Sequence, residues 1–168
     1  YYFTSDLESL GFPYQIFVTY GEPSLCDEQT EVELWGECYN IEETTSLELS
    51  GSGLTGEIPP EIGDLINLTY LNLYGNQLTG EIPPEIGQLT NLLYLFLYMN
   101  QLSGQVPSEI GNLVNLIILR LNDNNLSGEI PGNICDLTID WSGIWLECNL
   151  KSVKFVRFPI SGGISPIS

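Results

Sequence analysis

Hydrophobic residues recur along the middle of the chain with a fixed period, and the polar positions between them recur with it. Leu47, Leu71, Leu95 and Leu119 are each 24 residues apart, and a second leucine follows each of them two positions later. An asparagine (Ser52 in the first unit), a leucine, a glycine and an [IV]-P pair follow, so that each unit reads L-x-L-x-x-N-x-L-x-G-x-[IV]-P. Self-similarity at a period of about 20–50 residues indicates a stacked repeat architecture.

Each position in the unit predicts a local structure. The L-x-L segment alternates as a strand does, with its leucines inward and the residue between them outward. The asparagine falls where the chain turns, so its amide can satisfy backbone groups that the bend leaves unpaired. Glycine permits a tight bend, and proline ends strand pairing. Stacked coils then bury a continuous core behind a concave parallel sheet. The residues expected to lock the return segments together are Ile62, Ile86, Ile110, Ile134, Leu65, Leu89, Leu113 and Leu137.

The L-x-G-x-[IV]-P form of the unit resembles the plant-type subclass of leucine-rich repeats. That subclass is found in receptor-kinase ectodomains and polygalacturonase-inhibiting proteins, and bacterial surface repeat proteins are similar. The resemblance covers about residues 44–150 and implies an α/β-type leucine-rich-repeat solenoid with four full 24-residue coils and a partial fifth. It also implies a cysteine cap of the form W-x-G-V-x-C, which Trp35, Gly36 and Cys38 resemble. The motif is specific for the fold, whereas ligand-binding residues vary within it.

The sequence divides into four parts on this interpretation. Residues 1–43 form an N-terminal extension and cap, 44–139 the four repeats, 140–150 a partial fifth repeat with the C-terminal cap, and 151–168 a basic C-terminal strand and tail. In the fifth unit Ile144, Leu146 and Asn149 fit the pattern, but Asn149 lies 25 residues after Asn124, and the glycine and proline positions are absent beyond it. We therefore expect the solenoid to end there.

The four cysteines allow three disulfide pairings, and the stacked geometry selects one of them. Cys26 and Cys38 precede the repeats, whereas Cys135 and Cys148 lie at their end. Strands spaced ~4.8 Å apart put roughly 15–20 Å between the two ends of four coils, but a disulfide needs Cα atoms within ~7 Å. We predict the pairs Cys26–Cys38 and Cys135–Cys148 and, with them, an oxidising extracellular or cell-surface location. A zinc site is disfavoured because the chain has no histidine, and we expect no metal and no cofactor.

The charge balance is strongly acidic, with 22 Asp and Glu against 4 Lys and Arg and a net charge of −18. Nucleic acid and anionic membranes are therefore poor partners, and no apolar run is long enough to be inserted across a bilayer. An acidic surface that only keeps a secreted protein soluble is the simpler interpretation; a cationic partner is the other. The chain begins at Tyr1 without Met or a visible signal peptide, as we expect of a mature or excised product.

Outward residues of the strands form columns on the predicted concave face, and aromatic residues concentrate in its middle. Exposed aromatic residues are typical contact residues, because they offer large apolar area with few rotatable bonds. Arg120 falls between Phe96 and Trp145 in one column, within reach of a cation–π contact. The simpler interpretation is that aromatic residues favour strands. The predicted residues for binding a protein or glycan are Tyr70, Asn72, Tyr74, Tyr94, Phe96, Tyr98, Arg120 and Trp145.

Carboxylates also recur in columns, with neighbours ~5 Å apart, a separation that matches retaining glycosidases. These positions lie on a solvated rim, which offers no pocket to raise one pKa above the other. Nucleophilic triads are excluded as well, since the chain has no histidine and free cysteine is not expected. We therefore expect no enzymatic activity. The columns are Glu57, Glu81 and Glu129, and Glu61, Glu85 and Glu109.

The C-terminal tail carries most of the chain's few positive charges, and residues 153–160 read as a strand. Such a strand can simply cap the last coil. Alternatively, it can dock on the acidic surface of another copy and build an extracellular filament or surface coat, since a head-to-tail contact need not close. The residues of this assembly hypothesis are Lys151, Lys154, Phe155, Arg157 and Phe158.

Two N-x-[ST] sequons begin at Asn67 and Asn125. They are possible glycosylation sites in a eukaryotic secretory route, although the repeat consensus also generates N-L-[ST] without any such role.

Overall fold

A computed structural model of the chain describes residues 26–137. Short strands and helical turns alternate along this part of the chain, one set per repeat. The strands are β1 (Glu31–Leu34), β2 (Glu37–Asn40), β3 (Ser46–Glu48), β4 (Thr55–Gly56), β5 (Tyr70–Asn72), β6 (Gln77–Leu78), β7 (Tyr94–Phe96), β8 (Ser103–Gly104), β9 (Ile118–Arg120) and β10 (Asn125–Leu126). Three 3₁₀ helices span Pro60–Asp64, Pro84–Gln88 and Ser108–Asn112, and one α-helix, α1, spans Gly132–Cys135.

The main sheet is parallel and takes one strand from each repeat, in the order β3-β5-β7-β9. Its register pairs Leu47 with Leu71, Leu71 with Leu95 and Leu95 with Leu119. Each residue therefore lies beside its equivalent 24 positions away, as the period predicts. Two further parallel pairs, β4-β6 and β8-β10, extend the stacking beyond the turn that follows the main sheet.

The return segments are helical but short. Each 3₁₀ helix follows a proline in extended conformation, Pro59, Pro83 or Pro107. A 3₁₀ helix rises about 2.0 Å per residue against about 1.5 Å in an α-helix, so five residues cross more of the coil. The helical half of this α/β-type repeat is therefore mostly a tight 3₁₀ turn, and within residues 26–137 α-helix appears only at α1.

The core is continuous along the stack, as predicted. The leucines within the strands of the main sheet, Leu47, Leu71, Leu95 and Leu119, are at most 3% exposed, and so are Ile62, Ile86, Ile110 and Ile134. Leu49, just after the first strand, is partly buried against the same core. Leu137, at the edge of the described residues, is partly buried against the same core. At the N-terminal end the antiparallel β1–β2 hairpin adds Val32 and Leu34 to this core. The hairpin thereby covers the leucines of the first coil.

The predicted asparagine ladder is present. Asn100 is only 8% exposed; its Nδ2 donates to the carbonyls of Leu97 and Leu73, at 3.1 and 2.9 Å, and its Oδ1 accepts from the Leu78 amide at 3.1 Å. Asn76 and Asn124 make equivalent bonds one repeat before and after. Each amide therefore joins two coils while it satisfies the backbone groups of the turn.

Two further ladders on the return side have the same period and were not predicted from the sequence. Asn67, Asn91 and Asn115 each donate Nδ2 to a backbone carbonyl of the preceding coil, at 2.9 to 3.0 Å. Gly63 and Gly87 allow successive 3₁₀ helices to touch. A Cβ on Gly87 would lie 2.5 Å from the Glu109 carbonyl oxygen. The 24-residue spacing was visible for both ladders; the close approach that explains them was not.

The predicted pair Cys26–Cys38 is confirmed, with Cα atoms 5.5 Å apart. Cys135 is disulfide-bonded, but Cys148 lies outside the described residues, so the Cys135–Cys148 pair stays a prediction. The partial fifth repeat and the basic tail also lie outside them. Within residues 26–137, no helix has the length and apolar character needed to cross a bilayer.

Candidate functional site on the concave sheet

The outward side chains of β5 and β7, with the residues just after each strand, form one aromatic surface. We call it the aromatic platform and define it as Tyr70, Tyr74, Tyr94, Phe96 and Tyr98. Tyr74 and Tyr98 stack with centroids 4.1 Å apart at 17°. Tyr70 lies 6.0 Å from Tyr94 and 5.8 Å from Phe96, and Phe96 lies 6.3 Å from Tyr98. The register that buries the leucines therefore brings all five predicted aromatic residues together on the opposite face.

Stacking within the platform stabilises the fold, since an aromatic pair contributes about 0.5–1.5 kcal/mol beyond its buried area. This stacking leaves part of each ring accessible to solvent, because all five residues are only partly buried. The platform therefore leaves rigid apolar area facing solvent at the centre of the sheet.

A hydrogen-bonded group adjoins the platform toward the N-terminal end. We call it the acidic corner and define it as Glu48, Ser50, Tyr70 and Asn72. Glu48 Oε2 accepts from the Tyr70 hydroxyl and from Asn72 Nδ2, each at 3.0 Å. Its Oε1 accepts from the Ser50 amide at 3.1 Å. The Glu48 side chain is exposed, yet these three bonds hold its carboxylate in one place.

The acidic corner also shifts two pKa values. Hydrogen bonding by Ser50, and after it by Asn72 and Tyr70, lowers the pKa of Glu48. Burial, and then the hydrogen bond to Glu48, raises the pKa of Tyr70. Because the folded pKa of Glu48 is depressed, its contribution to stability is present above the unfolded pKa and is lost as the pH falls through the folded value. At neutral pH the corner therefore holds an ionised carboxylate beside a protonated phenol.

The C-terminal side of the sheet is only partly described. Arg120 lies beside Phe96 in the register, and its Nη1 lies 3.4 Å from the Leu119 carbonyl. Trp145 lies outside the described residues, so the predicted cation–π contact stays a prediction.

Met99 was not among the residues predicted for this site. Met99 directly follows Tyr98, is 49% exposed and has a left-handed φ of 55°. The signal was available, because Gly51 and Gly75 occupy the equivalent positions in earlier repeats. A methionine where earlier coils use glycine is an outlier in the pattern, and it adds an exposed apolar side chain next to the platform.

The carboxylate columns lie outside the aromatic platform and the acidic corner. Glu57 lies over Gly80, so that a Cβ on Gly80 would be 2.7 Å from Glu57 Cγ. Glu57 and Glu81 line an open groove with Pro60, Pro83 and other residues. Gln105 interrupts the column before Glu129.

One cluster of potential metal ligands occurs among the described residues, formed by Cys26, Glu31 and Cys38. Both cysteines belong to the same disulfide. Since the thiolate is the form of cysteine that binds metal, the cluster has no thiolate to offer, and it is better explained as part of the N-terminal cap.

The two sequons differ in their surroundings. Asn67 Nδ2, the atom a glycan would occupy, donates to the Glu42 carbonyl at 2.9 Å, and the Thr69 hydroxyl donates to Thr45. Asn125 is exposed. Glycosylation at either residue stays a prediction.

Protein-family profiles match the repeat region of the chain. The profile described as Leucine Rich Repeat matches residues 43–65 and 115–137, and the two-copy profile described as Leucine Rich repeats matches residues 66–108. Together these matches cover more than half of the chain. No curated protein sequence matches it.

Several solved structures are similar. The plant peptide hormone receptor RGFR1, solved in complex with RGF2, is 52% identical with a TM-score of 0.53, over 55% of this chain and 15% of the receptor. PEPR1, solved with AtPEP1, is 43% identical with a TM-score of 0.56, over 56% of this chain and 14% of that one. A chain of the BIR3–SERK2 complex from Arabidopsis thaliana is 33% identical with a TM-score of 0.52, over 63% of this chain and 61% of that one. The chain thus spans only about 15% of the length of the peptide receptor RGFR1.

Proposed function

The chain belongs to the leucine-rich-repeat family, and on that premise we propose that it is a non-enzymatic extracellular module that binds a protein partner through its concave sheet. The partner's contact segment is a peptide or an exposed loop. The disulfide Cys26–Cys38 supports an extracellular location, because disulfides persist in oxidising compartments.

The observation that carries this proposal is the aromatic platform. Five partly exposed rings within stacking distance of one another form a rigid surface. Rigid aromatic residues lose little side-chain entropy on binding and are enriched among the residues that dominate interface energies. Among the similar structures, the plant peptide hormone receptor RGFR1 was solved in complex with RGF2 and PEPR1 was solved with AtPEP1, which supports this use of the fold.

Self-assembly through the basic tail remains a prediction. Its residues lie outside the described part of the chain, and nothing within residues 26–137 favours it over partner binding. The same holds for glycan binding, which the aromatic platform does not distinguish from protein binding.

Selection of a displayed random-peptide library on the wild-type protein tests the proposal. Peptides recovered on wild type should bind the Phe96→Ala and Tyr94→Ala variants at least tenfold more weakly, a difference of about 1.4 kcal/mol, because each change removes rigid contact area. The affinities are measured by calorimetry, and thermal unfolding confirms that each variant is folded.

Val114→Ala is the matched control, since Val114 is 72% exposed in a turn away from the platform. Its affinity should stay within twofold of wild type. Equal affinities for Phe96→Ala and Val114→Ala, or no enrichment on wild type over the Phe96→Ala protein, would contradict binding at the concave sheet.

A further inference from the structure

We propose that the acidic corner is an arginine-binding subsite. The guanidinium group of an arginine in the partner pairs with Glu48, and the aliphatic part of that arginine side chain lies along the rings of Tyr70 and Phe96. This inference rests on the proposed function, because it names the chemistry of the partner that the concave sheet takes.

Glu48 is preorganised for a ligand. A glutamate at the surface normally loses rotamer freedom when it pairs with a ligand. Glu48 has already been ordered by Tyr70, Asn72 and the Ser50 amide. Pairing with a ligand therefore costs less than it does at an unrestrained surface carboxylate.

The Glu48 carboxylate keeps its negative charge. Its hydrogen-bond partners are neutral groups: Tyr70, Asn72, and both the amide and the side chain of Ser50. They hold the charge in place without neutralising it. Because the Glu48 side chain is exposed, a cationic donor from solvent can reach the carboxylate.

The aromatic rings beside Glu48 favour a guanidinium over an ammonium group. Tyr70 belongs both to the acidic corner and to the aromatic platform, and its ring lies 5.8 Å from that of Phe96. A planar, weakly hydrated guanidinium can stack on such rings while it donates to a carboxylate, whereas an ammonium is a strongly hydrated point charge. The corner thus offers both contacts that arginine uses.

The charge of the whole chain acts in the same direction. A net charge of −18 attracts cationic segments from a distance, but screening limits that attraction to roughly 8 Å at physiological ionic strength. General attraction cannot select one place on the surface. Within the described part of the concave sheet, the outward strand residues carry charge only at Glu48 and Arg120. Glu48 is therefore the position on this face where a cation is preferred.

The test uses an acetylated, amidated peptide of alternating glycine and arginine, titrated at 0.15 M salt, and the same peptide with neutral citrulline in place of arginine. Glu48→Gln should bind the arginine peptide about tenfold more weakly than wild type. Glu81→Gln is the matched control: it makes the same charge change at an exposed glutamate in the groove with Glu57, and it should stay within twofold of wild type. The citrulline peptide should not distinguish the three proteins.

Tyr70→Phe provides a second variant that keeps the ring and removes the hydroxyl that holds Glu48. It should weaken arginine binding by a smaller factor than Glu48→Gln. Chemical shifts of the Asn72 side-chain amide should move on titration of wild type and not of Glu48→Gln.

The inference is overturned if Glu48→Gln and Glu81→Gln weaken binding equally, because the attraction is then general, or if wild type does not bind the arginine peptide at millimolar concentration. The library selection keeps this result separate from the proposed function. If the selected peptides bind Phe96→Ala more weakly but bind Glu48→Gln as well as wild type, binding at the concave sheet is supported and the arginine subsite is contradicted. If the arginine peptide binds Glu48→Gln more weakly but the library peptides bind Phe96→Ala as well as wild type, the arginine subsite is supported and binding of the library peptides at the concave sheet is contradicted.

Discussion

At the scale of the residue, one backbone position after each strand of the main sheet takes a left-handed conformation, and its occupants tolerate that conformation unequally. The φ angles are 61° at Gly51, 68° at Gly75, 55° at Met99 and 53° at Asp123. Glycine adopts this region without steric cost, and aspartate is among the residues that tolerate it. Methionine has neither advantage, and the 49% exposure of Met99 leaves little burial to offset the strain. Strain of this kind is often kept where function requires it, and Met99 adjoins the aromatic platform.

Met99→Gly should therefore stabilise the protein. Relief of the left-handed conformation is worth about 1–2 kcal/mol, less about 0.5–1 kcal/mol for the greater backbone entropy of glycine in the unfolded chain. We expect a net gain of about 0.5–1 kcal/mol, measured by chemical denaturation.

Gly75→Ala is the reciprocal change. No atom lies within 4 Å of the added Cβ, so only the conformational cost remains, and stability should fall by about 1 kcal/mol. A loss of stability in Met99→Gly would show that the methionine makes contacts that outweigh its backbone strain.

At the scale of the element, the close stacking of the 3₁₀ helices depends on glycine. The Pro84–Gln88 helix lies so near the Ser108–Asn112 helix that a Cβ on Gly87 would be 2.5 Å from the Glu109 carbonyl oxygen and 2.6 Å from its Cβ. Backbone cannot yield as the end of a flexible side chain can. Since each helix is bonded to its own coil, relief would require the two coils to separate, which would disturb the buried leucines between them.

Gly87→Ala should therefore destabilise the fold by about 1–3 kcal/mol, the usual cost of overpacking. Gly132→Ala is the matched control, because Gly132 lies in α1 with no atom within 4 Å of an added Cβ. That change should be neutral or slightly stabilising, since alanine is the better helix former. Equal denaturation midpoints for the two variants would mean that the helices are not held in the close contact described.

At the scale of the whole molecule, charge opposes the leucine core. The chain has 22 acidic and 4 basic residues, and glutamates at equivalent positions of successive repeats, such as Glu61, Glu85 and Glu109, place like charges on neighbouring coils. Net charge far from zero keeps proteins soluble and destabilises the compact state by self-repulsion. The cost is distributed over the surface, so ionic strength controls it more than any single substitution does.

The thermal midpoint should consequently rise as salt increases from about 0.01 M to about 0.15 M, where the Debye length falls from roughly 30 Å to roughly 8 Å. Glu81→Gln should raise the thermal midpoint at low salt, because it removes one source of repulsion. At the higher salt concentration its midpoint should equal that of wild type, because screening already weakens that repulsion. Calorimetry across the salt series measures both effects. A midpoint that falls with salt would indicate that attractive ion pairs outweigh the repulsion.

The amino-acid sequence was sufficient to predict the solenoid, the register of the main sheet, the buried leucines, the Asn100 ladder and the Cys26–Cys38 pair. It could do so because a fixed period places equivalent residues side by side, and alternation within a strand decides which side chains face inward. The aromatic platform followed from the same rule. Its role in binding did not follow, since the pattern says which face a ring occupies and not what touches it.

Contacts between repeats that cross from one column of residues to another became visible only in the folded structure. Glu48 meets Tyr70, 22 positions away, as well as Asn72, 24 positions away, so one carboxylate is fixed by two places in the next repeat. The importance of Gly87 follows from its short distance to Glu109 of the next coil, and that of Met99 follows from its left-handed φ angle. The physical reason is that a repeat period specifies neighbours, whereas the length and direction of each side chain, and the separation of the coils, determine whether those neighbours bond, collide or face solvent.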